Sequence, residues 1–130
     1  MIVDDDPDVL ISVKKILEAE GYKVYAFNDG HECLRKLKEG KNPTLIILDV
    51  VMPIMSGWEI HRRLGENPNW KKIPVIFLTG RITETAEEMY DRYGITYIKK
   101  PFDIKEFKKS VEEILYDKQK YSRVMCKCHL

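Results

Sequence analysis

The sequence predicts an α/β protein, an open, doubly wound sheet of parallel strands with helices on both faces. Three observations lead there. Five short apolar, β-branched runs recur along the 130 residues. Stretches of helical period alternate with them, each with its own start signal. Most of the runs are continuously apolar, as strands covered on both faces require. Right-handed crossovers turn such an alternation into one sheet wound on both sides.

Taken in order, Met1-Ile2-Val3 is the first run. Asp6-Pro7 then provides an N-cap and a proline at the first helical position, and Leu10, Val13 and Leu17 form a stripe that stops at Gly21. The second run, residues 23–27, alternates and predicts an edge strand. Asp29 with Glu32 offers a capping box before Cys33, Leu34 and Leu37, with Gly40 as the stop. Residues 44–48 are the third run, and Ser56 with Glu59 repeats the box ahead of Ile60 and Leu64. Residues 73–78 are the fourth. Thr85 with Glu88 opens a fourth helix carrying Met89 and Tyr93 and closed by Gly94. Thr96-Tyr97-Ile98 is the fifth run, and Asp103 with Glu106 begins the last helix, with Phe107, Val111, Ile114 and Leu115 on one face. The domain is expected over residues 1–116, with 117–130 a helix extension or a disordered tail.

Composition narrows the class. A 44% hydrophobic and 33% charged chain of this length builds one folded domain rather than a disordered segment. Lys and Arg number 22 against 21 Asp and Glu, so no global field marks a nucleic-acid or membrane binder. No apolar run approaches the roughly 18 residues of a membrane span. Met1 opens directly into Ile2-Val3-Asp4, without a secretory signal. Three cysteines do not make a disulfide framework. The expected compartment is the cytoplasm. The first run is short, which reads as a trimmed natural start.

In an open α/β sheet, ligands bind beyond the carboxyl ends of the strands. Those ends carry Asp4, Asp5 and Asp6 after the first run, Asp49 after the third, Thr79-Gly80 after the fourth and Lys99-Lys100-Pro101 after the fifth. Asp6 and Asp8 read as helix-start acids. Asp4, Asp5 and Asp49 would repel one another by several kcal/mol at a partly buried site, and a hard divalent cation such as Mg²⁺ offsets that. A carboxylate on Mg²⁺, with no hydrogen-bonded base, is a nucleophile for a phosphoryl group. The metal, the Thr79 hydroxyl and the Lys100 ammonium would then partner the three equatorial oxygens.

These residues carry a family resemblance. Val3-Asp4-Asp5-Asp6-Pro7, the stretch from Leu48 to Gly57 (Leu48-Asp49-Val50-Val51-Met52-Pro53-Ile54-Met55-Ser56-Gly57), Phe77-Leu78-Thr79-Gly80 and Tyr97-Ile98-Lys99-Lys100-Pro101-Phe102 stand in register. Together they resemble the receiver domain of two-component response regulators, the family of the chemotaxis regulator, over about residues 1–116. The resemblance implies a flavodoxin-like, five-stranded parallel sheet in order 2-1-3-4-5, flanked by five helices. It implies Asp49 as the phosphoacceptor for a sensor histidine kinase, and Asp5, Asp49 and the Val51 carbonyl as Mg²⁺ ligands, with Asp4 acting through water. Thr79 is implied as the switch hydroxyl, Tyr97 as the aromatic that turns inward with it, and Lys100 as the phosphate-pairing lysine after which a cis peptide bond to Pro101 is expected. Lys99 is the bystander. Output is expected as protein contact through the fourth helix, fifth strand and fifth helix, around Tyr90 and Tyr97. No helix-turn-helix follows, so no direct nucleic-acid binding and no membrane contact are expected, and the chain would be a monomer or a phosphorylation-dependent dimer. The chain would promote its own phosphorylation without being a turnover enzyme. The alternatives are a phosphate-independent binding module and the receiver part of a longer regulator.

Three positions depart from the family. Gly80 follows Thr79 where alanine is usual, Val51 stands two residues after Asp49, and Arg81 stands two after Thr79. Neither Val51 nor Arg81 orients an attacking water, so slow self-dephosphorylation is expected. Competing folds lack their residues: the acids after the first run would repel a flavin phosphate, Val51 replaces the second Asp of a haloacid-dehalogenase-type phosphatase, and no Gly-x-Gly-x-x-Gly follows the first run. Cys126-Lys127-Cys128-His129 is too compact for a four-ligand metal site. His31 and His61 read as solvated or half-buried helix residues, Trp58 as a reporter near Asp49, and Trp70 as a packing lid. The alternating lysines and glutamates from Lys105 to Glu113 read as a solvated face.

Overall fold

The structure is a computed structural model that describes residues 1–80, 88, 92 and 96–128, with 117–128 described by backbone alone. Its elements follow the chain as β1 (Ile2–Val3), α1 (Pro7–Ala19), β2 (Ala26–Phe27), α2 (Gly30–Lys38), β3 (Ile46–Leu48), α3 (Gly57–Glu66), β4 (Val75–Thr79), β5 (Thr96–Lys99) and the last helix, here α4 (Ile104–Cys128). All strand pairings are parallel and the order is β2-β1-β3-β4-β5, as the resemblance implied. The alternating second run, as β2, is an edge strand. Among the described residues there are four helices. Arg81, Thr85, Met89, Tyr90, Tyr93 and Gly94, on which the expected fourth helix and part of the output face rest, lie outside the described residues, as does His129. No helix among the described residues is long and apolar enough to cross a membrane.

The continuous apolar strands serve two cores at once, because successive side chains leave a strand on opposite faces. Val3, Ile46, Leu48, Val75 and Phe77 enter one cluster with Cys33, Leu34 and Leu37 of α2 and Ile60 and Leu64 of α3. Ile2, Ile47, Ile76 and Leu78 enter the other, with Val13 and Leu17 of α1 and Phe107 and Val111 of α4. The first four strands span fewer residues than their apolar runs, while β5 extends one residue past its run to Lys99.

Helix boundaries follow the predicted chemistry. Asp6, Asp29 and Ser56 accept from the backbone N–H of Asp8, Glu32 and Glu59 as N-caps, and Asp103 accepts from that of Glu106 at 3.1 Å. At the other ends, Gly21 (φ 91°) and Gly40 (φ 100°) adopt the left-handed conformation. The Tyr22 and Lys41 N–H groups reach back to the Leu17 and Lys36 carbonyls, completing Schellman closures.

The loop after β3 is the strained part. Met52 and Met55 are buried while Ile54 between them is 92% exposed. To turn both methionines inward the chain makes a γ-turn, with the Met55 N–H on the Pro53 carbonyl at 2.7 Å and Ile54 at φ 70°. A β-branched residue pays about 1–2 kcal/mol for that conformation. Just beyond, Gly57 starts α3 against the strand end: its N–H donates to the Val50 carbonyl at 2.9 Å, and a Cβ there would stand 2.2 Å from the Asp49 carbonyl oxygen. Gly57→Ala is therefore expected to destabilise the fold by about 3 kcal/mol or more. Ile54→Gly, which loses no packing, is expected to stabilise it by about 1 kcal/mol. Urea unfolding of both variants checks the two signs.

Candidate functional site

The parallel sheet brings the ends of β1, β3, β4 and β5 to one edge. Register does the placing. The Asp4 N–H donates to the Phe27 carbonyl at 3.1 Å and the Asp49 N–H to the Val3 carbonyl at 2.9 Å, so the two acids leave adjacent strands side by side. Thr79 ends β4 opposite Lys99 of β5, and the Lys100 N–H closes on the Thr79 carbonyl at 3.0 Å. The Lys100-Pro101 peptide bond is cis, as expected.

Three carboxylates meet there. Asp4, Asp5 and Asp49 each offer one oxygen within 4.8 Å of the other two. Asp4 and Asp49 are buried and Asp5 is exposed at the mouth. The Lys100 ammonium, rather than that of exposed Lys99, reaches them, at 2.6 Å from Asp4 Oδ2 and 3.6 Å from Asp49 Oδ1. Asp4 Oδ1 accepts from the Asp6 N–H at 2.9 Å, so both Asp4 oxygens are engaged within the protein. Burial, and then the neighbouring Asp4 charge, raise the Asp49 carboxyl to about 6, with Lys100 opposing the rise. One ammonium leaves two of three negative charges uncompensated. An all-oxygen donor set with that excess suits a hard divalent cation of the Mg²⁺ kind.

The remaining predicted residues fall around this cluster. Thr79 is buried at the strand end. Tyr97 is half-buried against the core on the α2–α3 side, and burial raises its phenol. Val51, on the loop beyond Asp49, has an exposed side chain. Trp58 stacks at 4.8 Å on Phe77 of β4. His61 is half-buried against Phe77, and burial lowers its imidazole, whereas His31 is exposed. Trp70 packs on the core as a lid.

Two things escape a reading of the sequence. The direct Asp4–Lys100 pair joins residues 96 positions apart, and no local pattern announces it. The closeness of Gly57 to the Asp49 backbone does have a signal, a glycine directly after a Ser N-cap, but its reason is a tertiary contact.

The chain matches the response regulator receiver domain family over residues 1–112. A probable transcriptional regulator of Pyropia yezoensis, ycf29, is 34% identical over 88% of this chain and 52% of its own length. Among solved structures, a putative response regulator from Chloroflexus aurantiacus is 30% identical with a TM-score of 0.78, covering 88% of this chain and 94% of that one. The Vibrio cholerae chemotaxis protein CheY4 is 28% identical with a TM-score of 0.77, covering 87% and 94%. The chain spans about half or less of the length of the first curated relatives it matches. Sequence match, topology and the acidic strand-end cluster agree, and the chain belongs to the receiver domain family of two-component response regulators.

Proposed function

We propose that this chain is a Mg²⁺-dependent phosphoacceptor switch in which Asp49 takes a phosphoryl group from a sensor histidine kinase. The observation that carries this reading is the meeting of Asp4, Asp5, Asp49 and Lys100 at one strand edge. Asp5, Asp49 and the Val51 carbonyl are the residues to hold the metal, with Asp4 acting through water; Mg²⁺ bound there supplies the positive charge that keeps the Asp49 carboxylate ionised and offsets charge on the incoming group. One Asp49 oxygen forms the new P–O bond as the donor's P–N bond breaks, and the imidazole nitrogen keeps the electron pair and takes a proton. Lys100 turns from Asp4 to the phosphoryl oxygens, and the buried Thr79 hydroxyl donates to another. Movement of Thr79 lets Tyr97 turn inward, which shifts a two-state equilibrium of the face around Tyr97, Tyr90 and α4.

On this reading the functional unit is residues 1–116. Its partners are a histidine kinase and an output protein met through that face, as a monomer or a phosphorylation-dependent dimer, in the cytoplasm. It is not a turnover enzyme. The probable cyclic di-GMP phosphodiesterase of Vibrio cholerae is matched over only 27% of its length, and that activity stays with that protein.

Incubation with acetyl phosphate is expected to add one phosphoryl group by intact mass, only with Mg²⁺ and not in Asp49→Asn. No gain from acetyl phosphate or from a phosphorylated kinase would overturn the reading. In the same samples, Val51 two residues after Asp49 and Arg81 two residues after Thr79 predict an acyl phosphate lasting minutes or longer; decay within seconds would refute slow self-dephosphorylation.

Charge generates a second prediction. Asp49 binds its proton more tightly folded (about 6) than at its unfolded value of 3.8. The group therefore carries no penalty below its unfolded value, counts increasingly against folding as pH rises, and does so fully above about 6. Asp49→Asn is expected to stabilise the metal-free protein at pH 7 by about 1–3 kcal/mol, with the gain vanishing toward pH 4. Urea unfolding at both pH values checks it, since an equal gain at each would indicate packing rather than charge.

A further inference from the structure

We propose that the opposite edge of the sheet carries a second ligand site, a groove that takes a free nucleotide. The α2–β3 and α3–β4 loops flank an open groove of about 630 Å³, lined by Lys38, Lys41, Asn42, Asn67, Asn69 and Trp70. Pockets of roughly 300–1,000 Å³ hold ligands of that size. The inference is independent of the chemistry proposed for Asp49, which lies at the other ends of the strands.

The charge on this edge is uneven in a way that the net charge of +1 conceals. The acids near it are already matched within the protein: Glu18 to Lys14 at 3.8 Å, Glu20 to Lys108 at 2.8 Å, Glu39 to Lys36 at 3.3 Å and Glu66 to Arg62 at 2.6 Å. Several other lysines are not. Lys23, Lys38, Lys71 and Lys72 are exposed and make no ion pair among the described residues. Among the described residues the Lys41 ammonium donates to the Tyr25 hydroxyl, at 3.1 Å, over whose ring it sits, and makes no ion pair.

Helix ends account for part of this. Lys38 lies in the last turn of α2, where a cation complements the carbonyl end. That leaves Lys23, Lys71 and Lys72, which stand on loops beyond any helix end, and the backbone N–H groups of Gly40 and Lys41 already close on the Leu37 and Lys36 carbonyls at the end of α2.

The walls supply what an aromatic phosphate needs. Trp70 is partly buried and packed on the core, and its backbone N–H donates to the Asn67 carbonyl at 3.0 Å; its indole beside the groove is a platform for a base. Asn67 uses its side-chain oxygen on the Asn69 N–H at 2.8 Å, leaving its NH₂ group to donate. Lys38 and Lys41 line the same groove as cations for phosphate. Amides, an indole and two ammonium groups in one groove fit a nucleotide better than a purely apolar ligand or an inorganic anion.

The test is an NMR titration of the full chain with ADP at fixed ionic strength and in EDTA, which removes any metal that would bring phosphate to the acidic edge. Saturable shifts at the Trp70 indole and the Asn42, Asn67 and Asn69 amides are expected, with weaker shifts for adenosine or pyrophosphate alone. Lys38→Gln with Lys41→Gln should weaken ADP about tenfold while leaving acetyl-phosphate labelling of Asp49 intact, which reports a folded domain. Shifts that do not saturate, unchanged affinity in the double variant, or shifts confined to the Asp49 edge would overturn the proposal. Tighter binding of a single-stranded oligonucleotide than of ADP would overturn it in favour of nucleic acid.

Discussion

Three carboxylates and one ammonium share the carboxyl edge of this sheet, and the arrangement around them follows from keeping those charges together. Lys100 lies closer to Asp4 than to Asp49, at 2.6 against 3.6 Å, so Asp49 has the weaker compensation and the raised carboxyl. Such a cluster opposes folding unless the surrounding structure is stable enough to impose it. Here β1, β3 and β4 impose it, because each is buried on both faces and hydrogen-bonded to a neighbour on either side. The least comfortable group is thereby the one with most to gain from a cation.

Strain at the β3–α3 loop belongs to the same constraint. The chain must leave β3 at Asp49, bury Met52 and Met55, and start α3 tightly against the strand end. Ile54 in a left-handed γ-turn and Gly57 on the Asp49 carbonyl are the local costs of that path. They hold the backbone of Asp49 firmly, while the exposed side chains of Val51 and Asp5 leave its mouth open.

The two edges of the sheet differ in sign as well as in geometry. Strand ends at one edge carry the acids, and helix-to-strand loops at the other carry lysines whose acidic neighbours are already paired. A near-neutral chain is thus polarised along its strands. Anions approaching the acidic edge need a cation to bring them, whereas those approaching the lysine edge do not.

Much of this was legible in the sequence. The apolar runs announced β1, β3 and β4, the alternating run announced an edge strand, and Asp6-Pro7, Asp29, Ser56 and Asp103 announced helix starts, because capping and periodicity are local and act within a few residues. The acids, Thr79 and Lys100 were legible as strand-end residues for the same reason. Tertiary structure alone decided which partners they met. Lys100 pairing with Asp4 rather than standing free, Ile54 forced to φ 70°, Gly57 pressed on the Asp49 carbonyl and lysines from positions 23 to 72 gathered at one edge all depend on strand order and register. Those follow from burying two faces of one sheet at once, a condition that no short segment of the chain meets alone.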